Sequence, residues 1–268
     1  MNIGLIGAGH LGKAFLSGLS RSGVRANTIT VNARTEDTMN SIKAQYPDIN
    51  VTSDKKELIA ESDMVVIAVK PQNAREVITG INAYDWSGKI IVSFMAGITL
   101  ADLRELFNDK DNSLNIIRVM PSIGIATCKG VMGFCYEGNV PRVDEVKAIF
   151  EKLGYVITLS EDRFDNVMVS AASGLAFVTY LMKEYRDACD LLLNDIEASE
   201  TITRMIFENA LEIVESGAES MESLIDKICT KGGVTEAGIV ALEKGDIKDK
   251  VSACFDAALK RTNELLNN

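Results

Sequence analysis

The chain has 268 residues, a net charge of −10, 47% hydrophobic residues and 25% charged residues. These are ordinary globular values with room for one large core or two modest ones. The acidic balance excludes a general nucleic-acid binder, which needs a basic excess. Five cysteines (Cys128, Cys135, Cys189, Cys229 and Cys254) form no Cys-x-x-Cys pair. Free thiols in a reducing cytoplasm are therefore expected, with no metal site. The first residues lack a basic stretch and glycines break the first apolar run, so no signal peptide is read there.

The first element is a strand ending in "LIGAGHLG" (Leu5–Gly12). Ile3, Leu5 and Ile6 are apolar, and past the glycines Leu11, Phe15, Leu16 and Leu19 recur at helical spacing. A strand passing through Gly-x-Gly-x-x-Gly into a helix is a dinucleotide-binding fingerprint. Gly7 permits the turn, Gly9 lets backbone approach a pyrophosphate, and Gly12 lets the helix pack on the strand. The phosphates are expected on unpaired N–H groups at the helix start, around His10 and Leu11.

"TITVNA" (Thr28–Ala33) is the second strand. A site for NAD wants an acidic residue about 20 positions beyond the glycines, to hold the ribose hydroxyls. Asn32 stands there instead, followed by Arg34 and Thr35. Arg34 can pair with a 2′-phosphate that a carboxylate would repel, and Thr35 can donate a hydrogen bond to it. The expected cofactor is NADP(H), with NAD(H) bound more weakly.

Further strands are read at "MVVIAV" (Met64–Val69), "KIIVSF" (Lys89–Phe94) and "LNIIRVM" (Leu114–Met120), with helix-compatible stretches such as "SDKKELIAESD" and "TLADLRELFND" between them. This alternation predicts a Rossmann-type, doubly wound, mostly parallel sheet covered by helices on both faces. A last strand–helix–strand, "VMGFCY", "VDEVKAIFEKLG" and "YVITL", completes a first domain over residues 1–160. All four prolines lie at or before Pro141, and residues 161–268 read as an all-helical second domain.

Within that second domain "VMVSAASGLAFVTYLM" (Val167–Met182) is apolar nearly all round. It is shorter than the ~20 residues a membrane span needs. A buried helix at a subunit interface is expected, with no membrane partner. In "TITRMIFENALEIVESG" the residues Ile202, Met205, Ile206, Ala210, Ile213 and Val214 mark one apolar face, and Gly217 is a plausible stop.

Five stretches, in order and spacing along nearly the whole chain, resemble the pyrroline-5-carboxylate reductase family. They are "VVIAVKPQ" (Val65–Gln72), "VSFMAGIT" (Val92–Thr99), "RVMPSIG" (Arg118–Gly124), "AASGLAFV" (Ala171–Val178) and "CTKGGVTEAGIVALEKG" (Cys229–Gly245). The resemblance implies NADPH-dependent reduction of 1-pyrroline-5-carboxylate to L-proline, and a helical domain that interlocks in a homodimer or a larger ring-like homo-oligomer. It adds Val69, Lys70, Pro71, Ala96 and Gly97 to the residues around the cofactor.

The chemistry has its own logic. Reduction of a ketone wants a general acid, commonly histidine. The one histidine, His10, sits inside the glycine loop, where it serves the cofactor phosphates or nothing. A small cyclic imine suits such a chain better. Its nitrogen can be protonated before binding, leaving the protein to orient the ring and grip a carboxylate. "TKGGVT" suits that grip: Gly232 and Gly233 offer N–H groups, Thr230 adds a hydroxyl, and Thr235 can cap a helix starting near Glu236. The resemblance gives Thr235 a catalytic place, matching a threonine that hydrogen-bonds near the ring nitrogen.

Departures from the family pattern fall at Ser122, Ile123, Gly124, Ala172, Leu175, Phe177, Lys231 and Lys55, several of them in the expected substrate pocket. They keep open a reductase of a different cyclic imine and a non-catalytic NADP(H)-binding paralogue. A hydroxyacid dehydrogenase would want a lysine soon after Ser173-Gly174, and the first there is Lys183.

Overall fold

The computed structural model describes residues 1–266. In chain order the elements are β1 (Ile3–Ile6), α1 (His10–Arg21), β2 (Ile29–Asn32), α2 (Glu36–Gln45), β3 (Asn50–Thr52), α3 (Lys55–Glu61), β4 (Met64–Ile67), α4 (Ala74–Thr79), β5 (Ile90–Ser93) and α5 (Leu100–Phe107). There follow β6 (Asn115–Pro121), β7 (Gly130–Tyr136), α6 (Val143–Glu151), β8 (Gly154–Thr158), α7 (Glu161–Val167), α8 (Gly174–Leu193), α9 (Ile196–Glu215), α10 (Met221–Ile228), α11 (Val234–Lys244) and α12 (Ile247–Leu266).

The strands form one sheet in the order β3-β2-β1-β4-β5-β6-β7-β8. From β3 to β6 all neighbours are parallel. Successive side chains alternate between two core layers. In β4, Met64 and Val66 join the layer of Phe15, Leu16 and Phe150, while Val65 and Ile67 join that of Leu58, Ile78 and Leu103. Burial on both faces is why the run is apolar at every position. β7 runs antiparallel to β6, because the Ser122–Lys129 connection is too short for the crossover that parallel pairing needs. β3 escapes sequence reading: it has three residues at the sheet edge, none fully buried.

The chain divides into two compact units, one comprising Met1–Ser173 with the helix end from Leu259, the other Gly174–Ala258. The second unit is helical throughout. α9 ends at Glu215 with Ser216 as its C-cap, one residue before Gly217.

The apolar run from Val167 differs from expectation in length and in burial. A six-residue π-helical segment, Met168–Ser173, joins α7 to α8 in one helix, Glu161–Leu193. Among the described residues this is the helix long and apolar enough to cross a membrane by length and composition. Core helices of soluble proteins pass the same test. α8 is buried only at Gly174 in the single chain, and Leu175, Val178, Tyr180 and Leu181 are exposed. The unit is too small to cover every side of a helix apolar all round.

Candidate functional site

The C-terminal ends of β1, β2, β4 and β5 share one edge of the sheet. The connections diverge between β1 and β4, the switch point where open α/β sheets hold ligands. Gly7, after β1, has φ +106°, and a Cβ there would stand 2.6 Å from the Ala68 carbonyl oxygen past β4. A Cβ on Gly12 would stand 2.1 Å from the Gly7 oxygen. Both positions require glycine so that the first turn of α1 can close on the strand ends.

Gly9 differs from both. It is the N-cap of α1 without a side-chain cap, and nothing lies within 4 Å of where its Cβ would be. The N–H groups of His10, Leu11 and Gly12 find no acceptor among the described residues, and the first turn carries no acid. This open cradle of donors fits a pyrophosphate. His10 is exposed, and Leu11 packs partly into the core.

Asn32 ends β2 buried, its Nδ2 donating to the Thr52 carbonyl at 3.2 Å. Arg34 is exposed and forms no hydrogen bond or ion pair among the described residues. Thr35, expected as a phosphate donor, is the N-cap of α2: its Oγ1 accepts from the Thr38 N–H at 3.3 Å and lies 2.8 Å from the Thr38 hydroxyl. The helix start uses a lone pair of that oxygen, and the hydroxyl proton is still able to donate. Past β4, Val69 flanks Gly7, exposed Lys70 follows, and Pro71 opens a short 3₁₀ turn. Past β5, the Ala96–Gly97 loop is held by a capping box, with Thr99 Oγ1 accepting from Asp102 N–H at 3.0 Å and Thr99 N–H donating to Asp102 at 2.8 Å.

In the second unit the loop between α10 and α11 corrects the sequence reading at three residues. α11 begins at Val234 with Gly233 as N-cap, so Thr235 lies inside the first turn and caps nothing. The Gly232 N–H donates to Glu236 Oε2 at 2.6 Å, and the Gly233 N–H to the Thr230 carbonyl at 2.8 Å. The two expected donors are therefore engaged. The N–H groups of Val234, Thr235 and Glu236 have no acceptor among the described residues, and the exposed Thr235 hydroxyl is also unengaged. The helix starts two residues earlier than the sequence suggested, with Glu236 reaching back to the Gly232 N–H, so the unpaired donors lie further along the chain. Thr230 closes the loop from the other side: its Oγ1 lies 2.5 Å from where a Gly233 Cβ would be.

Sequence reasoning missed one buried polar cluster. Arg118 on β6 is 2% exposed. It pairs with Glu161, lies 3.9 Å from Asp165, and holds its guanidinium 4.2 Å from the centre of the Phe164 ring. Cys135 on β7 donates to Glu161 at 3.3 Å. Burial, with the Glu161 carboxylate beside it, pushes the Cys135 thiol up to about 12, so it stays protonated and unreactive. Burial likewise raises Asp165, against the pull of Arg118. The available signal was one arginine in an apolar strand and two acids four residues apart in "EDRFD".

Comparison with known proteins follows this geometry. Residues 2–97 match the family model described as NADP oxidoreductase coenzyme F420-dependent, and residues 161–265 that of pyrroline-5-carboxylate reductase dimerisation. Pyrroline-5-carboxylate reductase 2 of Bacillus subtilis is 27% identical over 98% of this chain and 94% of its own, and the Vibrio alginolyticus reductase 28% over 98% and 97%. Over nearly its whole length the chain is similar to pyrroline-5-carboxylate reductases. That likeness, with the oxidoreductase model over residues 2–97, supports an NAD(P)H-dependent oxidoreductase acting on a C=N bond, with a nicotinamide cofactor. Its dimerisation domain supports self-association.

Solved structures carry the same fold. The pyrroline carboxylate reductase of Plasmodium falciparum, with NADP bound, superposes with a TM-score of 0.86 at 24% identity, covering 99% of this chain and 98% of that one. That of Coxiella burnetii gives 0.86 at 24%, covering 98% of both.

Against the family pattern, this reductase uses Ser122 structurally. Its N–H donates to the Val131 carbonyl and its Oγ accepts from the Val131 N–H, both at 3.0 Å, pinning the β6–β7 hairpin. Ile123 is exposed and starts the 3₁₀ turn Ile123–Thr127 that packs on α1. Phe177 stacks edge-on against Phe255 at 5.5 Å. Lys231 is exposed, without an ion pair among the described residues.

Proposed function

We propose that the chain is an NADPH-dependent pyrroline-5-carboxylate reductase that forms L-proline. The observation that supports this most is the reach of the likeness, which spans 98% of the chain and takes in a cofactor-type and a dimerisation-type domain. Residues 1–160 serve the cofactor; residues 161–268 serve the substrate and self-association, as a homodimer or a larger ring. Five free cysteines accord with a reducing cytoplasm.

The residues divide the work by charge. His10, Leu11 and Gly12 offer N–H groups to the pyrophosphate beside Gly9, and Arg34 faces the 2′-phosphate. Val69, Lys70, Pro71, Ala96 and Gly97 form the loops along the same strand ends. A nicotinamide held there would supply the hydride that the imine carbon needs. The chain supplies position: Val234 and Thr235 N–H groups hold the carboxylate, and the Thr235 hydroxyl bonds near the ring nitrogen. That nitrogen arrives protonated and receives the C=N electron pair as the carbon is reduced, so no histidine is needed.

The test is NADPH absorbance with purified protein. Turnover of 1-pyrroline-5-carboxylate well above that of other cyclic imines and of 3-hydroxyacids is expected. NADPH binding without turnover of any imine would overturn the enzymatic reading, and preference for another ring would reassign the substrate.

A further inference from the structure

Arg118 is a costly way to join a helix to a sheet. Ile116 and Met120 belong to one apolar core layer, and strand alternation puts Arg118 between them. Across the ladder it stands opposite Cys135 on β7 and Ser93, the last residue of β5. An apolar side chain there would need no charge taken out of water, and replacing a buried ion pair by apolar groups is commonly neutral or stabilising. The cluster is also incompletely paired. Arg118 Nε and Nη2 and Asp165 Oδ1 are buried with no hydrogen-bond partner among the described residues. Polar atoms left in that state cost stability, so stability alone does not account for the arginine.

What the cluster provides is a single seat for α7. Glu161, in the first turn, accepts from Arg118 Nη1 and from the Cys135 thiol, the latter at 3.3 Å. One turn on, the Phe164 ring centre lies 4.2 Å from the guanidinium and Asp165 Oδ1 lies 3.9 Å from Nη2. One strand residue thus holds two successive turns of the helix. Phe164 also lies against β7, where a Cβ on Gly133 would stand 3.3 Å from its ring. Apolar contacts alone tolerate a helix that slides or turns a little before stability is lost. A planar, directional guanidinium does not.

α7 is also the foot of the helix that runs unbroken from Glu161 to Leu193 and carries the chain out of the first unit, which ends at Ser173, into the second. Between the cluster and that boundary lies the π-helical segment Met168–Ser173, in which Val169 is buried and Ser170, Ala171, Ala172 and Ser173 are small. Little else in that segment can fix the exit. We infer that Arg118 is a positioning residue: its hold on Glu161, Phe164 and Asp165 fixes the seat of α7, and with it the direction in which the chain enters its second unit. The inference rests on the reductase reading above, in which that unit holds the imine.

The test compares the full-length wild type with the triple variant Arg118→Met, Glu161→Gln, Asp165→Asn, which removes the charges together and strands none of them. Its melting temperature is expected near that of wild type. At saturating NADPH its kcat for pyrroline-5-carboxylate is expected to be about tenfold lower, since a misplacement of about 1 Å can cost up to about a hundredfold in rate. KM for the imine and Kd for NADPH should move less than about twofold, because ground-state binding is untouched. Amide hydrogen exchange over residues 161–175 is expected to be about tenfold faster in the variant, at temperatures equally far below the two melting points. Recovery of kcat together with melting temperature overturns the inference, because a merely structural cluster behaves that way. Loss of kcat with these amides as protected as in wild type overturns it too. If the wild type turns over no imine, the reductase reading fails. Faster exchange in the variant then still upholds the seat of α7, and unchanged exchange removes that as well.

Discussion

Thr235→Val isolates one hydroxyl without disturbing the fold. Thr235 is exposed in the first turn of α11 and its hydroxyl makes no hydrogen bond among the described residues. Valine keeps its branched shape and similar helix propensity. Stability should therefore move by less than about 0.5 kcal/mol, as for surface positions without partners. A hydrogen bond to a charged group contributes about 1.5–3 kcal/mol, which converts to roughly ten- to a hundredfold in rate. That loss is expected in kcat/KM for pyrroline-5-carboxylate at saturating NADPH. The Kd for NADPH should stay within twofold, because the glycine loop proposed for the phosphates belongs to the other unit. Thr235→Ser, which restores the hydroxyl, should recover most of the activity. Unchanged imine turnover in the valine variant, or failure of serine to rescue it, would refute the placement of the substrate nitrogen here.

Arg118→Met leaves Glu161 and Asp165 facing each other without their cation. Removing one partner of a buried pair costs about 3–5 kcal/mol, and partial exposure of the two acids, 26% and 25%, lowers this to about 2–3. A melting temperature about 4–12 °C lower is expected, largely restored by adding Glu161→Gln and Asp165→Asn. Because burial holds the folded Asp165 above its ordinary value, the destabilisation should be full above that folded pKa and shrink as pH falls through it; melts that differ equally at every pH would contradict the cluster. Glu236→Ala frees the Gly232 N–H and loosens the start of α11, so KM for the carboxylate substrate should rise about fivefold, from a cap worth about 1 kcal/mol, while Glu236→Gln keeps the acceptor and most of the affinity. Equal KM values for the two variants would count against a positioning role. Light scattering at micromolar concentration should give a multiple of the single-chain mass, since α8 carries exposed Leu175, Val178, Tyr180 and Leu181; a single-chain mass would contradict assembly through this face.

Local sequence carried the sheet wherever burial is two-sided. Covered on both faces, β4 is apolar at every position and β5 at all but its last, Ser93, so short runs revealed the strands. The glycine loop was legible for a related reason: Gly7 and Gly12 answer steric demands set by neighbours a few residues away or by the next strand end. β3 was illegible because an edge strand of three residues needs no apolar run.

The two threonines show where reading stops. The sequence reads Thr235 as a cap and gives Thr35 no such role; in the structure Thr35 caps α2 and Thr235 is left unengaged. Which hydroxyl caps depends on which residue first enters helical geometry. At α11 that is decided by the bond from Gly232 to Glu236, a property of the closed turn rather than of either residue alone. Arg118 lies further beyond reach. Strand alternation places it on one face of β6, but its partners come from α7, Glu161 being 43 residues away. Such a charge becomes tolerable only when folding brings Glu161, Asp165 and the Phe164 ring against it, and no local pattern encodes a pairing of that separation.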